Sequence, residues 1–407
     1  MKSRSKLRID WVFLCGTALI ILMYLMFHLI TGKSPFAPSG YNTYTRQAMA
    51  WRQGLLHLPQ DVPHLELAVF QGDYYVSFPP LPSVPLFLLT FIFGMDTPDA
   101  LMVKLYVYAA FAIVYFLYKK IGMKPIAALI WSLLTVYASS MLPLTLDGAV
   151  WYQAQTLAFM LIMGSVSLMV RRKTCLSLLL FALAIGCRPN DAPYLLVLLA
   201  MHFYNCKKDG QSFAASLRAL LPGIACGILV AVCYGAYNYV RFGSPLEFGH
   251  GYLPEFTRDN EAFFDMSRIA GNSSRFLIGL PFSHGGASME IFGFSLFIAN
   301  PITTVTLLYM LLMLIKKRLD WRSVAVIIAI CAEAVMLLST HNGGGFQYGA
   351  RYFVDLIPYS AVVFALCPLR TQAEIGDAKA YSFGALDAFV LLTSLAFAVY
   401  GSLMVAL

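Results

Sequence analysis

Apolar runs of about 20 residues recur along the whole chain, from Trp11 to Val405. Coiled as a helix, a run of that length spans the hydrocarbon core of a bilayer, and a helix satisfies its own backbone polar groups there. A soluble fold could not bury so much apolar surface. Hydrophobic residues make up 59% of the chain, charged residues 12%, and mean hydropathy is +0.69. Soluble domains run nearer half and a quarter. The sequence therefore specifies an all-α polytopic membrane protein, with residues 1–407 as a single integral membrane domain.

The net charge of +8 is not a nucleic-acid footprint. Its cations fall in short clusters between apolar runs (Lys119, Lys120 and Lys124; Arg171 to Lys173; Lys207 and Lys208; Lys316 to Arg318; Arg370), as the positive-inside rule expects of cytoplasmic loops. The basic start MKSRSKLR leads into the first span with no small-residue cleavage site, which predicts an uncleaved anchor with a cytoplasmic N-terminus. Spans are expected over Trp11 to Ile30, Asp99 to Tyr118, Ile126 to Leu144, Trp151 to Val170, Leu176 to Gly186 with Tyr194 to Tyr204 (a tight pair of spans or a re-entrant hairpin), Leu220 to Val240, Ile291 to Ile315, Val324 to Ser339, Phe353 to Cys367 and Leu386 to Val405. That makes about 11 crossings. Pro82 to Gly94 is too short for a crossing and reads as a re-entrant dip, which keeps every basic cluster on one side.

This topology leaves a first outer loop over 31–95, a second over 241–290 and a third over 341–352. With Leu146 to Gln155 and the GCRPND turn (Gly186 to Asp191), five polar segments gather on one outer face. Within the first loop, Tyr41 to Leu56 has the spacing of an amphipathic helix lying at the interface. The eight cysteines fall mostly inside apolar runs, without metal or redox spacing, and read as packing residues. A bacterial plasma membrane suits the basic N-terminus.

The stretch Gly72 to Pro82, GDYYVSFPPLP, closes the first loop ahead of the apolar dip. A Phe-Gly turn and a basic residue follow in FGMDTPDALMVK, Phe93 to Lys104, and LTLDGAVWYQAQ supplies a second acidic loop. These motifs, with NYVRFGSPLEFG (Asn238 to Gly249) and GGFQYGARYFVDLIP (Gly344 to Pro358), resemble the GT-C superfamily of membrane glycosyltransferases, which includes the protein O-mannosyltransferases and the lipid A aminoarabinose transferase. The resemblance implies an inverting transferase that takes a sugar from a polyprenyl-phosphate donor to an outer-face envelope acceptor (glycan, lipid or protein). It also admits a divalent metal bridging acids and phosphate. One departure is clear: the family's acidic residue soon after the first span is replaced here by Asn42, whose amide cannot accept the proton of an acceptor hydroxyl.

Inverting transfer requires a carboxylate near the acceptor hydroxyl and cations around the departing phosphate. The carboxylates that qualify are Glu66, among apolar neighbours, Asp73, in turn sequence, and Asp147, at a span end beside Gly148. The phosphate-binding cations are Arg46, Lys104, Arg188 and Arg351. Arg188 has two alternatives, phosphate or pairing with Asp191, because a charge between two apolar runs is costly unless used. Tyr74 and Tyr75 are positioned to stack on sugar or polyprenyl, alternatively to anchor the interface, and Gln153 and Gln155 make a polar cluster at membrane depth. Glu333, alone in mid-span, requires a partner that the sequence does not reveal. Glu255, Asp259, Glu261 and Asp265 read as a solvated loop face. A transporter or flippase of lipid-linked sugars would use the same cations without a base, and an inactive GT-C relative would also fit Asn42.

Overall fold

The computed structural model describes residues 9–254, 262–282, 289–341, 343–366 and 384–406. The basic N-terminal octapeptide, Glu255, Asp259, Glu261, Cys367 and Arg370 lie outside the described residues. Among those described, six helices are long and apolar enough to cross a membrane: α1 (Trp11–Thr31), α4 (Asp99–Lys120), α7 (Val150–Val170), α10 (Phe213–Phe242), α14 (Trp321–Leu338) and α16 (Ala385–Ala406). Between them lie α2 (Thr43–Arg52), α3 (Ser83–Phe93), α5 (Pro125–Val136), α6 (Met141–Leu144), α8 (Thr174–Ile185), α9 (Tyr194–Lys208), α11 (Ile269–Ile278), α12 (Leu296–Ala299), α13 (Pro301–Ile315) and α15 (Pro358–Leu366).

Helix α7 is the axis of the bundle. Its Ile162, Met163 and Val166 are buried in one cluster with Val107, Phe111 and Val114 of α4. Against α8 it uses small polar residues: Ser165 Oγ donates to the Ser177 carbonyl and Ser177 Oγ to the Ser165 carbonyl, both at 2.8 Å. Where lipid offers no hydrophobic drive between helices, small residues and such bonds let two backbones approach closely.

Three runs depart from uniform crossings, and the one expected over Ile291 to Ile315 is helical only over α12 and α13, with Asn300 between them. The span expected over Ile126 to Leu144 breaks after Val136, because Ser139 Oγ captures the Val136 carbonyl at 2.9 Å and Asn300 Oδ1 accepts from Ser140 N at 2.8 Å. Backbone groups freed inside a bundle are tolerated when side chains satisfy them in this way. The run expected from Phe353 opens as a 3₁₀ turn, Arg351–Leu356, before α15. Helix α3, at 11 residues, is about 16 Å long, roughly half of a hydrocarbon core.

The first loop also corrects the all-α expectation. Leu67–Phe70 (β1) and Asp73–Val76 (β2) pair antiparallel, with Leu67 opposite Val76 and Phe70 opposite Asp73. Gln71 and Gly72 both have positive φ, 54° and 92°, the combination that a two-residue turn matched to strand twist demands. The helix expected from Tyr41 begins at Thr43 and buries Tyr44 and Ala48 with Leu86 of α3.

Candidate functional site

The polar segments from all five parts of the sequence meet at one cavity of about 750 Å³. Glu66 and Tyr41 come from the first loop, Asp147 from the loop before α7 and Trp151 from its first turn, Arg188 from the turn after α8, His250 from the second loop and His341 and Arg351 from the third. Lys33, just beyond α1, adds another cation to the wall.

Glu66 follows the 3₁₀ turn Pro63–Leu65 in a left-handed conformation, φ 53° and ψ 57°. Few non-glycine residues adopt it, and such strain collects where a side chain must be aimed. Its Oε2 accepts from the Trp151 indole N–H at 3.1 Å. Tyr41 packs on Trp151 with ring centroids 5.1 Å apart, and Val150 N donates to the Tyr41 carbonyl at 3.1 Å. The carboxylate is thus fixed against the first turn of a rigid helix.

Asp147 accepts from the Ser39 hydroxyl. The buried Lys104 ammonium lies close enough for its charge to act on both Asp147 and Asp99, while donating to the Ala100 carbonyl at 3.2 Å.

Arg351 is only 5% exposed and is held by neutral oxygens. Its Nε and one terminal nitrogen donate to the Gly344 carbonyl at 3.2 and 2.6 Å, and the other donates to Gln155 Oε1 at 3.1 Å. Tyr152 and Tyr352 lie against the guanidinium, at 5.6 and 5.0 Å. Among the described residues no carboxylate pairs with it. Arg188 is different: its Nε and terminal nitrogen both reach Asp355 Oδ2, at 2.9 and 2.5 Å, while its other side packs on the same Tyr352 ring. The partner is Asp355 rather than Asp191.

Below this pair, ligand atoms of Asp191, Glu333 and Asp355 lie within 4.8 Å of one another, all buried. Glu333 finds its partner here, accepting from the Tyr359 hydroxyl at 2.7 Å. Burial, reinforced by the neighbouring Asp355 and opposed by Arg188, pushes the Asp191 carboxyl above its usual range. The trio is the group among the described residues close enough to hold a metal ion, but the Arg188 guanidinium already sits against Asp355 as its compensating charge.

The remaining expected residues lie off the cavity wall. Asp73, 48% exposed at the side chain, pairs with His57 Nδ1 at 3.0 Å. Arg46 Nε donates to Asn42 Oδ1 at 2.9 Å, so Asn42 acts as an anchor for that arginine. Tyr75 packs against Phe242, centroids 5.1 Å apart, and Tyr74 shares a small core with Leu58 and Leu65. Gln153 Nε2 donates to the Gly148 carbonyl at 2.7 Å, and Gln155 donates from Nε2 to the Arg351 backbone carbonyl while its Oε1 accepts from the Arg351 guanidinium.

No family model and no curated protein sequence matches this chain. Its structure is similar to that of the Archaeoglobus fulgidus oligosaccharyltransferase in the apo form, with a TM-score of 0.53 at 15% identity. The match covers 99% of this chain and 56% of the other, so the chain spans about half the length of that enzyme. The fold is GT-C-like.

A GT-C-like fold with several apolar crossings makes this a multi-pass membrane protein. Within it, sequence reasoning missed His250, His341, Lys33, Asp99 and Asp355. Asp355 carried a signal, an acid inside an apolar run one helical turn after Arg351. Histidines in long loops carried none.

Proposed function

We propose that the chain is an inverting glycosyltransferase that moves a sugar from a polyprenyl-phosphate-linked donor to an outer-face envelope acceptor. The observation that carries this is Arg351, a buried guanidinium with neutral partners on the wall of a cavity that also presents two carboxylates. A buried cation without a carboxylate is costly unless an anion arrives, and an arginine fork suits phosphate.

Trp151 and Tyr152 are successive residues of α7, about 100° apart around the helix. The first holds Glu66 and the second packs on Arg351. A base on one side and a phosphate clamp on the other suit in-line displacement. Glu66 takes the proton of the acceptor hydroxyl as its oxygen bonds to the anomeric carbon. The bond from that carbon to the phosphate oxygen breaks, and the lipid phosphate leaves with its charge against Arg351, with Arg188 alongside. Asp147, held by the Ser39 hydroxyl, stabilises positive charge developing on the sugar ring. Asp73 and Arg46 have no part in the step.

The test is transfer from short-chain polyprenyl-phosphate sugars by purified protein in nanodiscs, wild type beside Glu66→Gln. Turnover lost in the variant with donor binding kept supports the reading. Donor binding without turnover by wild type refutes it in favour of lipid-linked sugar transport.

A further inference from the structure

We propose that Asp99 is a positioning residue that fixes Asp147 from both sides of its loop, an inference that rests on the transfer reading above. Asp99 opens α4, 60 residues beyond Ser39 in sequence, and is fully buried. Its Oδ1 accepts from Ser39 N at 2.8 Å, and the hydroxyl of the same Ser39 donates to Asp147 Oδ1. Asp99 therefore holds the residue that holds Asp147.

The other side of the loop is pinned by contact. A Cβ at Gly148 would fall 2.4 Å from Asp99 Oδ1 and 2.5 Å from Ala100 N, so the backbone just after Asp147 lies directly against Asp99. Only a glycine allows that approach. Gln153 Nε2 closes the arrangement from α7 by binding the Gly148 carbonyl.

Packing alone does not account for a carboxylate here. Asp99 Oδ2 is buried without a hydrogen-bond partner, a cost that an apolar side chain would avoid. What Asp99 gains is an oxygen aimed at the Ser39 amide, beside an ammonium from Lys104 that it shares electrostatically with Asp147.

The experiment compares Asp99→Ala, Asp99→Asn and Ser39→Ala in two readouts, steady-state transfer and a cryo-EM structure in nanodiscs. Asp99→Ala is expected to lower kcat by about 10²-fold, the cost of misplacing a reacting group by about 1 Å, with donor KM within about twofold. Asp99→Asn keeps an oxygen for the Ser39 amide and is expected to restore most of kcat. Ser39→Ala loses the hydroxyl itself and is expected to follow Asp99→Ala, which keeps the test alive if the alanine variant at 99 does not fold. In the Asp99→Ala structure, residues 146–149 are expected to shift and Ser39 to leave Asp147. An unmoved loop, an unchanged kcat in Ser39→Ala, or Asn no better than Ala at 99 overturns the proposal. A wild type without turnover overturns the transfer reading instead, and the loop position still decides whether Asp99 holds Asp147.

Discussion

Arg351→Met is the sharpest perturbation of the phosphate clamp. The substitution keeps most of the side-chain volume and removes the charge. The side chain is 5% exposed and spends three hydrogen bonds on the Gly344 carbonyl and Gln155 Oε1. Losing that donor costs about 1–3 kcal/mol at the buried Gln155 Oε1, offset in part because no charge is then buried. The folded state should survive with a lower melting temperature. Catalysis should not. A guanidinium offers about two charge-assisted bonds to a departing phosphate, each worth about 1.5–3 kcal/mol, so the transition state loses about 3–6 kcal/mol, or roughly 10²–10⁴ in kcat/KM. Arg351→Lys, which keeps the charge but loses the fork, should fall between. The assay is transfer in nanodiscs at fixed donor, with melting followed in parallel. A folded methionine variant within about threefold of wild type in kcat/KM would refute the argument, because an uncompensated cation on the cavity wall would then have no anion to meet.

Glu66→Gln should lower kcat by about 10²–10⁴-fold, the usual worth of a positioned base, whereas Asp73→Asn, in an exposed pair with His57, should stay within about twofold; paired kinetics separate the two acids. In the buried trio, Asp355→Asn strips Arg188 of its ion pair and should cost about 3–5 kcal/mol of stability, read by thermal or chemical unfolding. Glu333→Gln keeps an acceptor for the Tyr359 hydroxyl and removes one of three crowded acids, so unfolding should show no loss. Burial holds the His250 imidazole below its ordinary range, despite an opposing bond to the Ser77 backbone and the charge of Glu247. A folded-state pKa below the unfolded one makes its contribution present above pH ~6.5 and lost as pH falls through the folded value. Melting of the wild type should therefore drop on acidification, and His250→Gln should flatten that dependence.

The apolar runs were legible because length and hydropathy alone specify helices in a bilayer. Their interruptions were not. Ser139 breaks one run locally, but the Asn300 side chain that completes the break comes from 160 residues away and leaves no local trace. The hairpin escaped for a different reason: LAVF and DYYV are four residues each, and the turn between them is Gln-Gly rather than the Asn-Gly that marks such a turn. At the site, Glu66, Asp147, Arg188 and Arg351 stood out as charges beside apolar sequence and all reached the cavity. Asp73, Arg46 and Tyr75 stood out equally and found local partners instead. Sequence showed which groups were costly to bury, but not which of them had been neutralised.

That distinction decides how the two arginines divide their work. Arg188 and Arg351 flank one ring, Tyr352, and line one cavity. Asp355 already claims the charge of Arg188, so an arriving phosphate meets it as a hydrogen-bond donor whose field is largely cancelled. Arg351 meets the same phosphate unpaired, because carbonyl and amide oxygens orient its guanidinium while Asp355, near enough to feel its charge, is paired with Arg188. The Arg188 cluster is best understood as the rigid floor that fixes Tyr352, and Arg351 as the group that stabilises the leaving charge. Neutralising Asp355 should therefore loosen the floor and destabilise the protein, and neutralising Arg351 should stop the chemistry in a protein that still folds.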